Sequence, residues 1–195
     1  MSGLLTGPDG RDRCRWCGDD PEYQRYHDEE WGVVQRDDRV LFEKLCLEGF
    51  QAGLSWITIL RKRDNFRAAF ANFDPVKIAQ FDQADIDRLM ADSGIVRNRL
   101  KIESTISNAQ AWLKMMDEEP GGFSKFVWDS VDGETLINQP QSMADVPGKT
   151  PAAEALSKRL KKAGFRFVGP TICYAFMQSM GLVDDHMVGC WKKGA

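Results

Sequence analysis

The sequence predicts an all-α fold, and three observations carry that prediction. Apolar residues recur at the three-to-four spacing of helices along most of the chain. Glycine and proline stand where such runs should start or stop, and no convincing stretch alternates apolar and polar residues as a half-buried strand would. Asp38 to Gly49 is the first helical segment, with Leu41, Leu45 and Glu48 on one face and Gly49 as its stop. Trp56, Ile57, Ile59 and Leu60 open a second, which runs into the charged triplet Arg61-Lys62-Arg63. Asp85 to Ser93 turns Ile86, Leu89 and Met90 inward and ends at Gly94. A helix from near Arg97 follows, carrying Ile102, Ile106, Ala109 and Leu113. Glu118 to Thr150 is punctuated by Pro120, Gly121, Gly122, Pro140, Pro147 and Gly148, and is read as loop-rich. Thr150 then caps a helix with Pro151 at its first position and Gly164 at its end. Pro170 opens a last apolar helix through Met180, closed by Gly181.

The chain has 195 residues, 43% hydrophobic and 28% charged, which suits one compact domain burying its own core. Residues 1–12 are expected to form a flexible N-terminal tail and residues 13–195 the folded domain. The opening residues lack the apolar segment of a signal peptide, and no run of about 18 apolar residues offers a membrane span. A cytoplasmic protein is the default expectation. Five cysteines, an odd number, argue against a disulfide framework, and Cys46 and Cys173 sit in apolar surroundings as small core residues. The net charge of −3 excludes a polycation, so any contact with nucleic acid must use local patches.

Cys14, Cys17 and Cys190 lie near the ends of the chain, close to its two histidines, His27 and His186. His186 and Cys190 stand four residues apart, a spacing that would put both on one face of a helical turn. Thiolate and neutral imidazole suit tetrahedral zinc, and one ion held by such a set would tie the two ends together. Spacing offers five candidates for four places, since Cys17 can substitute for Cys14. Core histidines beside inert thiols remain the plainer alternative.

Glu48 is the one charged residue between Leu45 and Leu60, on the inward face with Leu41 and Leu45. A buried carboxylate needs a partner, because an unpaired one costs several kcal/mol or loses its charge. That partner is either a nearby cation or backbone turn, or a ligand entering a pocket. Trp56 follows closely, and Tyr23, Tyr26 and Trp31 cluster in the N-terminal segment, as suits a flat, electron-poor base. On this reading Glu48→Gln should leave stability equal or higher, since it removes a buried charge.

The Gly94-Ile95-Val96 turn joins two helices, with Arg97, Arg99 and Lys101 where the second begins. Free backbone N–H groups at such a helix start make a phosphate site. The arrangement resembles the helix-hairpin-helix element of DNA-binding proteins, with Val96 where the second glycine of the common pattern would stand. A second basic patch comprises Lys158, Arg159, Lys161, Lys162 and Arg166. By charge alone, a solvated face explains either patch.

Three segments together resemble the bacterial 3-methyladenine DNA glycosylase I family. They are Tyr26-His27-Asp28-Glu29-Glu30-Trp31-Gly32, the run from Leu47 to Trp56, and Phe167 to Tyr174 leading to Asp185-His186. The likeness covers nearly the whole chain, from about Arg13 to Cys190. It implies a helix-hairpin-helix glycosylase fold whose termini are joined by one structural zinc, on Cys14, His27, His186 and Cys190. It implies a DNA N-glycosylase that excises 3-methyladenine from double-stranded alkylated DNA and leaves an abasic site. Glu48 then becomes the catalytic and base-reading carboxylate, with Tyr23, Tyr26, Trp31 and Trp56 around the base. Gly53 and Leu54 approach the DNA stack, and Gly94, Arg97, Arg99 and Lys101 face its backbone. A monomer is expected. The wider superfamily's catalytic aspartate has no counterpart that the sequence places. A non-catalytic sensor of damaged DNA, or a glycosylase for another base, would share the zinc and the basic patches.

Overall fold

The computed structural model describes residues 3–194. Helices dominate it, and their starts follow local chemistry. Helix α1 (Pro21–Glu29) is capped by the Asp20 carboxylate, which accepts from the Tyr23 N–H, with Pro21 at its first position. Helix α2 (Asp38–Gln51) is capped by Asp37, and the short helices α3 (Trp56–Leu60), α4 (Arg63–Ala69) and α5 (Pro75–Ile78) follow. Helix α6 (Gln83–Ala91) begins with a reciprocal capping box between Asp82 and Asp85. Helix α7 (Arg99–Glu118) is capped by Asn98, and α8 (Gly122–Trp128) packs against it. Thr150 accepts from the Ala153 N–H to start α9 (Pro151–Lys162), as predicted, and α10 (Pro170–Ser179) opens on its own N-terminal proline.

Helix α2 is the centre of the molecule. Nine of its fourteen residues are buried, so it has no wide solvent face, and α3, α7, α8 and α10 cover it. Leu41, Phe42, Leu45, Leu47 and Phe50 supply its apolar contacts, and Phe50 leads a file of rings through Phe66, Phe70 and Phe73. Two of the buried side chains are charged: Lys44 and Glu48.

The structure amends the sequence reading in several places. The all-α prediction holds for the bulk, with two small sheets added. Strands β1 (Leu4–Thr6) and β2 (Asp12–Cys14) pair antiparallel, and β3 (Leu136–Ile137) pairs in parallel with β4 (Val183–Asp184). Residues expected as a flexible tail thus include a paired strand, folded back so that Leu4 faces Cys14. Gly49 does not stop α2, which runs on to Gln51, because Gly49 lies mid-helix under Phe167. Helix α1 was not foreseen, and α8 falls inside the stretch read as loop-rich. No helix among the described residues is long and apolar enough to cross a membrane.

Candidate active site

A cavity of about 330 Å³ opens where α1, α2, α3 and α10 converge. It lies within the range typical of small-molecule sites. Tyr23, Tyr26, Trp31, Glu48 and Trp56 all line it, so the five residues picked from the sequence meet in one place. Trp16 joins them, with its ring centroid 5.0 Å from those of Tyr23 and Trp31. Sequence reasoning missed it, although an aromatic between Cys14 and Cys17 was a usable signal. It also missed Gln51, Tyr174 and Asp185 on the cavity wall.

Glu48 has its cation. Lys44, one helical turn earlier, places its ammonium 2.9 Å from Glu48 Oε1, and both side chains are almost fully buried. The same ammonium donates to the Tyr26 hydroxyl at 2.8 Å and lies 3.1 Å from the centroid of the Trp56 ring. Burial pushes the Lys44 ammonium down to about 8, with the Glu48 carboxylate opposing the fall. Glu48 Oε2 is buried with no hydrogen-bond partner, and so is Trp56 Nε1. Each such atom costs about 1–3 kcal/mol until something pairs with it. The second carboxylate on the wall, Asp185, is already engaged by Tyr174 Oη, Gln178 Nε2 and Asn138 Nδ2. Glu48 Oε2 is therefore the open acceptor.

Behind Trp16 and Trp31 lies the metal-ligand candidate set. Sγ of Cys14 and Cys190 and one ring nitrogen of His27 all fall within 4.8 Å of one another. His27 Nε2 faces Cys190 Sγ at 3.5 Å, while its Nδ1 meets Asp28 at 2.8 Å. Asp28 is itself gripped by Arg13 and Trp191. His186 is outside that three-residue group but beside it, with its ring 5.4 Å from that of His27. Its Nδ1 is held by Asp184 at 2.9 Å, and its Nε2 is buried without a partner. A carboxylate on one ring nitrogen, with the other left open, is the usual orientation of a metal-binding histidine. Gly32 leaves room for that ring, since a Cβ there would stand 2.5 Å from His186 Cε1. Cys17 lies outside the group and donates to the Cys14 carbonyl at 3.1 Å, so Cys14 is the N-terminal thiol that clusters with His27 and Cys190. His186 and Cys190 do not share a helical turn. Strand β4 ends at Asp184, and a turn closed by the Cys190 N–H on the Met187 carbonyl brings the thiol in.

The DNA-facing candidates divide. Leu54 is exposed next to Gly53, whose φ of +82° suits glycine. Arg97 is exposed beside the turn, and Arg99 pairs loosely with Asp87 and Glu103. Gly94 carries a carbonyl that accepts from Lys62 and Asn65. Lys101 is misassigned as a surface cation. It is buried, and its ammonium donates to the carbonyls of Phe50 at 2.9 Å and Ala52 at 2.6 Å, closing the open end of α2. Lys101→Met is expected to lower unfolding free energy in urea by about 1–3 kcal/mol, the cost of leaving such carbonyls unpaired. A change within about 0.5 kcal/mol, the range of ordinary surface substitutions, would return Lys101 to the surface class.

A family model described as methyladenine glycosylase matches residues 16–193. The chain is 53% identical over 180 residues to DNA-3-methyladenine glycosylase 1 of Escherichia coli (strain K12), covering 92% of this chain and 95% of that protein. A crystal structure of 3-methyladenine DNA glycosylase I is similar with a TM-score of 0.90 at 54% identity, over 92% of this chain and 98% of that one. A Tyr-to-Phe variant of 3-methyladenine DNA glycosylase I, solved in complex with 3-methyladenine, gives a TM-score of 0.90 at 40% identity, over 94% and 98%. With a family match and an identity that both span nearly its whole length, this chain belongs to the methyladenine glycosylase family.

Proposed function

We propose that this protein is a DNA N-glycosylase that hydrolyses the bond between 3-methyladenine and deoxyribose in alkylated DNA, leaving an abasic site. Family membership supports the reaction class, and the open acceptor Glu48 Oε2 in an aromatic cavity carries the assignment to this site. The amino group of 3-methyladenine donates a hydrogen bond, and Glu48 Oε2 is placed to accept one. Tyr23, Trp31 and Trp56 supply aromatic walls for a flat base, with Tyr26 behind them. The target nucleotide must leave the duplex stack to reach them. N3-methylation gives the base a positive charge in DNA. When the C–N bond breaks, the bonding electrons go to the base, which leaves neutral and needs no general acid. Water then adds to the sugar carbon and loses a proton. Glu48 acts by holding the base edge, a preorganised contact rather than a proton transfer.

The DNA partner in this reading is double-stranded, bound by a monomer in the cytoplasm. Helices α6 and α7 with the turn between them serve as the helix-hairpin-helix element, where Gly94, Arg97 and Arg99 approach phosphates. Gly53 and Leu54 enter the stack near the lesion, and Lys101 links that loop to the start of α7. One structural zinc is held by Cys14, His27, His186 and Cys190. The clustered donors and the unpaired His186 Nε2 support that set, and the ion would crosslink the two ends of the chain.

Incubation with methylated duplex DNA, followed by chromatography of the released bases, tests the activity. Free 3-methyladenine should appear and abasic sites accumulate in step. Binding to the methylated duplex without base release would instead mark a damage sensor.

A further inference from the structure

We propose that the metal site and the base cavity are energetically coupled, with Asp184 as a positioning residue for base binding because it fixes the His186 ring against Trp31. The inference rests on the base-binding and zinc readings above and adds a link between them. The two sites share their walls. His27 directly follows Tyr26, and His186 stands between Asp185 and Met187, while Tyr26, Asp185 and Met187 all line the cavity. The Met187 N–H also donates to Cys14 Sγ at 3.3 Å. Trp31 joins the two sites. Its ring lines the cavity and packs on both imidazoles, with its centroid 4.6 Å from that of His186 in an edge contact and 6.3 Å from that of His27 in a stacked one. Trp16, a second cavity wall, has its centroid 5.4 Å from that of His27.

An imidazole held at one nitrogen can still tilt about that contact, whereas one held at both cannot. Asp184 holds His186 Nδ1 at 2.9 Å, and Asp28 holds His27 Nδ1 at 2.8 Å. The opposite nitrogens are those left for the ion: His186 Nε2 has no other partner, and His27 Nε2 faces Cys190 Sγ. Carboxylate and ion together therefore lock the two rings on which Trp31 rests. A wall locked before the base arrives need not be ordered on binding, which is the gain of preorganisation. Asp184 does not line the cavity, so it acts on the base through the ring it holds. Coupling of this kind is reciprocal. Whatever factor the ion adds to base affinity, the base adds to affinity for the ion.

The test reads the coupling from both ends. Cobalt(II) in place of zinc makes a thiolate–imidazole site visible by absorption, and 3-methyladenine should shift those bands in the wild-type protein from across Trp16 and Trp31. Competition with a chromogenic chelator should show zinc held about threefold to tenfold more tightly when 3-methyladenine saturates the cavity, the scale of fixing one or two side chains in advance. Asp184→Ala, compared while folded and at one zinc per chain, should bind 3-methyladenine more weakly by a similar factor. Asp184→Asn keeps an acceptor oxygen for His186 Nδ1 and should restore most of that loss. A merely structural role would lower the melting temperature of Asp184→Ala and leave the base affinity of the folded protein unchanged, which overturns Asp184 as a positioning residue. Cobalt bands and zinc affinity that respond to the base by less than about twofold, in wild-type protein that binds both, overturn the coupling alone, whether or not the variants fold. A wild-type chain that binds zinc but no 3-methyladenine overturns the base-binding reading. One that binds the base but no metal overturns the zinc reading, and the coupling falls with either.

Discussion

Stripping the metal, or replacing Cys190 by serine, is expected to lower the melting temperature by about 10 °C or more. Elemental analysis should find about one zinc per chain before stripping, on the usual four-ligand pattern. In zinc-finger peptides the metal supplies about 10–16 kcal/mol, because nothing else holds the fold together. This chain has a large core of its own around α2, so the contribution should be smaller: several kcal/mol, at about 2–4 °C per kcal/mol for this size. The loss concentrates at the ends of the chain. Without the ion, two thiols and two imidazole nitrogens are left in a buried pocket that offers them few partners, and the β1–β2 hairpin depends on contacts such as Arg13 with Asp28 and the Trp191 N–H on the Asp12 carbonyl. Cys17→Ser should keep the metal, since the Cys17 thiol bonds the Cys14 carbonyl rather than joining the cluster. Metal-free protein with an unchanged melting temperature would refute the assignment.

How much of this was legible in the sequence varies with the physical signal. The Thr150-Pro151 start of α9 was readable because a capping hydroxyl and a helix-initiating proline are local chemistry. Helix α1 was not, because its inward positions are Tyr26 and His27 among charged neighbours, a pattern that periodicity scores as polar. Strands of two or three residues are too short for alternation to show. The cavity was legible through Glu48, a single charge in an apolar run. Its partner was missed, although Lys44 stands at the helical i,i+4 spacing where a partner belongs. Lys101 misled because a basic cluster at a helix start looks the same whether its ammonium meets solvent or two backbone carbonyls. The His186–Cys190 spacing suggested a helix, whereas tertiary position alone brings Cys190 to Cys14 and sets the His186 ring beside that of His27.

Glu48→Gln should weaken binding of free 3-methyladenine by about tenfold to a hundredfold, the value of one charged hydrogen bond at roughly 1.5–3 kcal/mol. The amide keeps the shape of the side chain but is uncharged, and it can satisfy itself by turning its oxygen toward Lys44 and its NH₂ toward the base. A donor then faces the amino group of the ligand. The stability effect reverses the expectation drawn from sequence, where removal of a lone buried charge was to be neutral or favourable. Glu48 is not alone: its replacement leaves the Lys44 ammonium buried without a counter-ion. Breaking a buried pair from one side costs about 3–5 kcal/mol, limited here because the lysine can shed its proton. The sign of the pH dependence follows. In the wild-type chain burial lowers Lys44 to about 8, and losing Glu48 removes the largest opposing influence, so in the variant it falls further. Between the variant's lower value and 8, the unfolded variant carries a proton that the folded one does not, so variant stability climbs with pH while this group leaves the wild type flat. The gap in melting temperature between the two proteins should therefore be wider at pH 6 than at pH 8. Thermal melts at both values, with a fluorescence titration of the folded variant, read all three effects. Wild-type affinity for 3-methyladenine in a folded Glu48→Gln protein would remove Glu48 from the site.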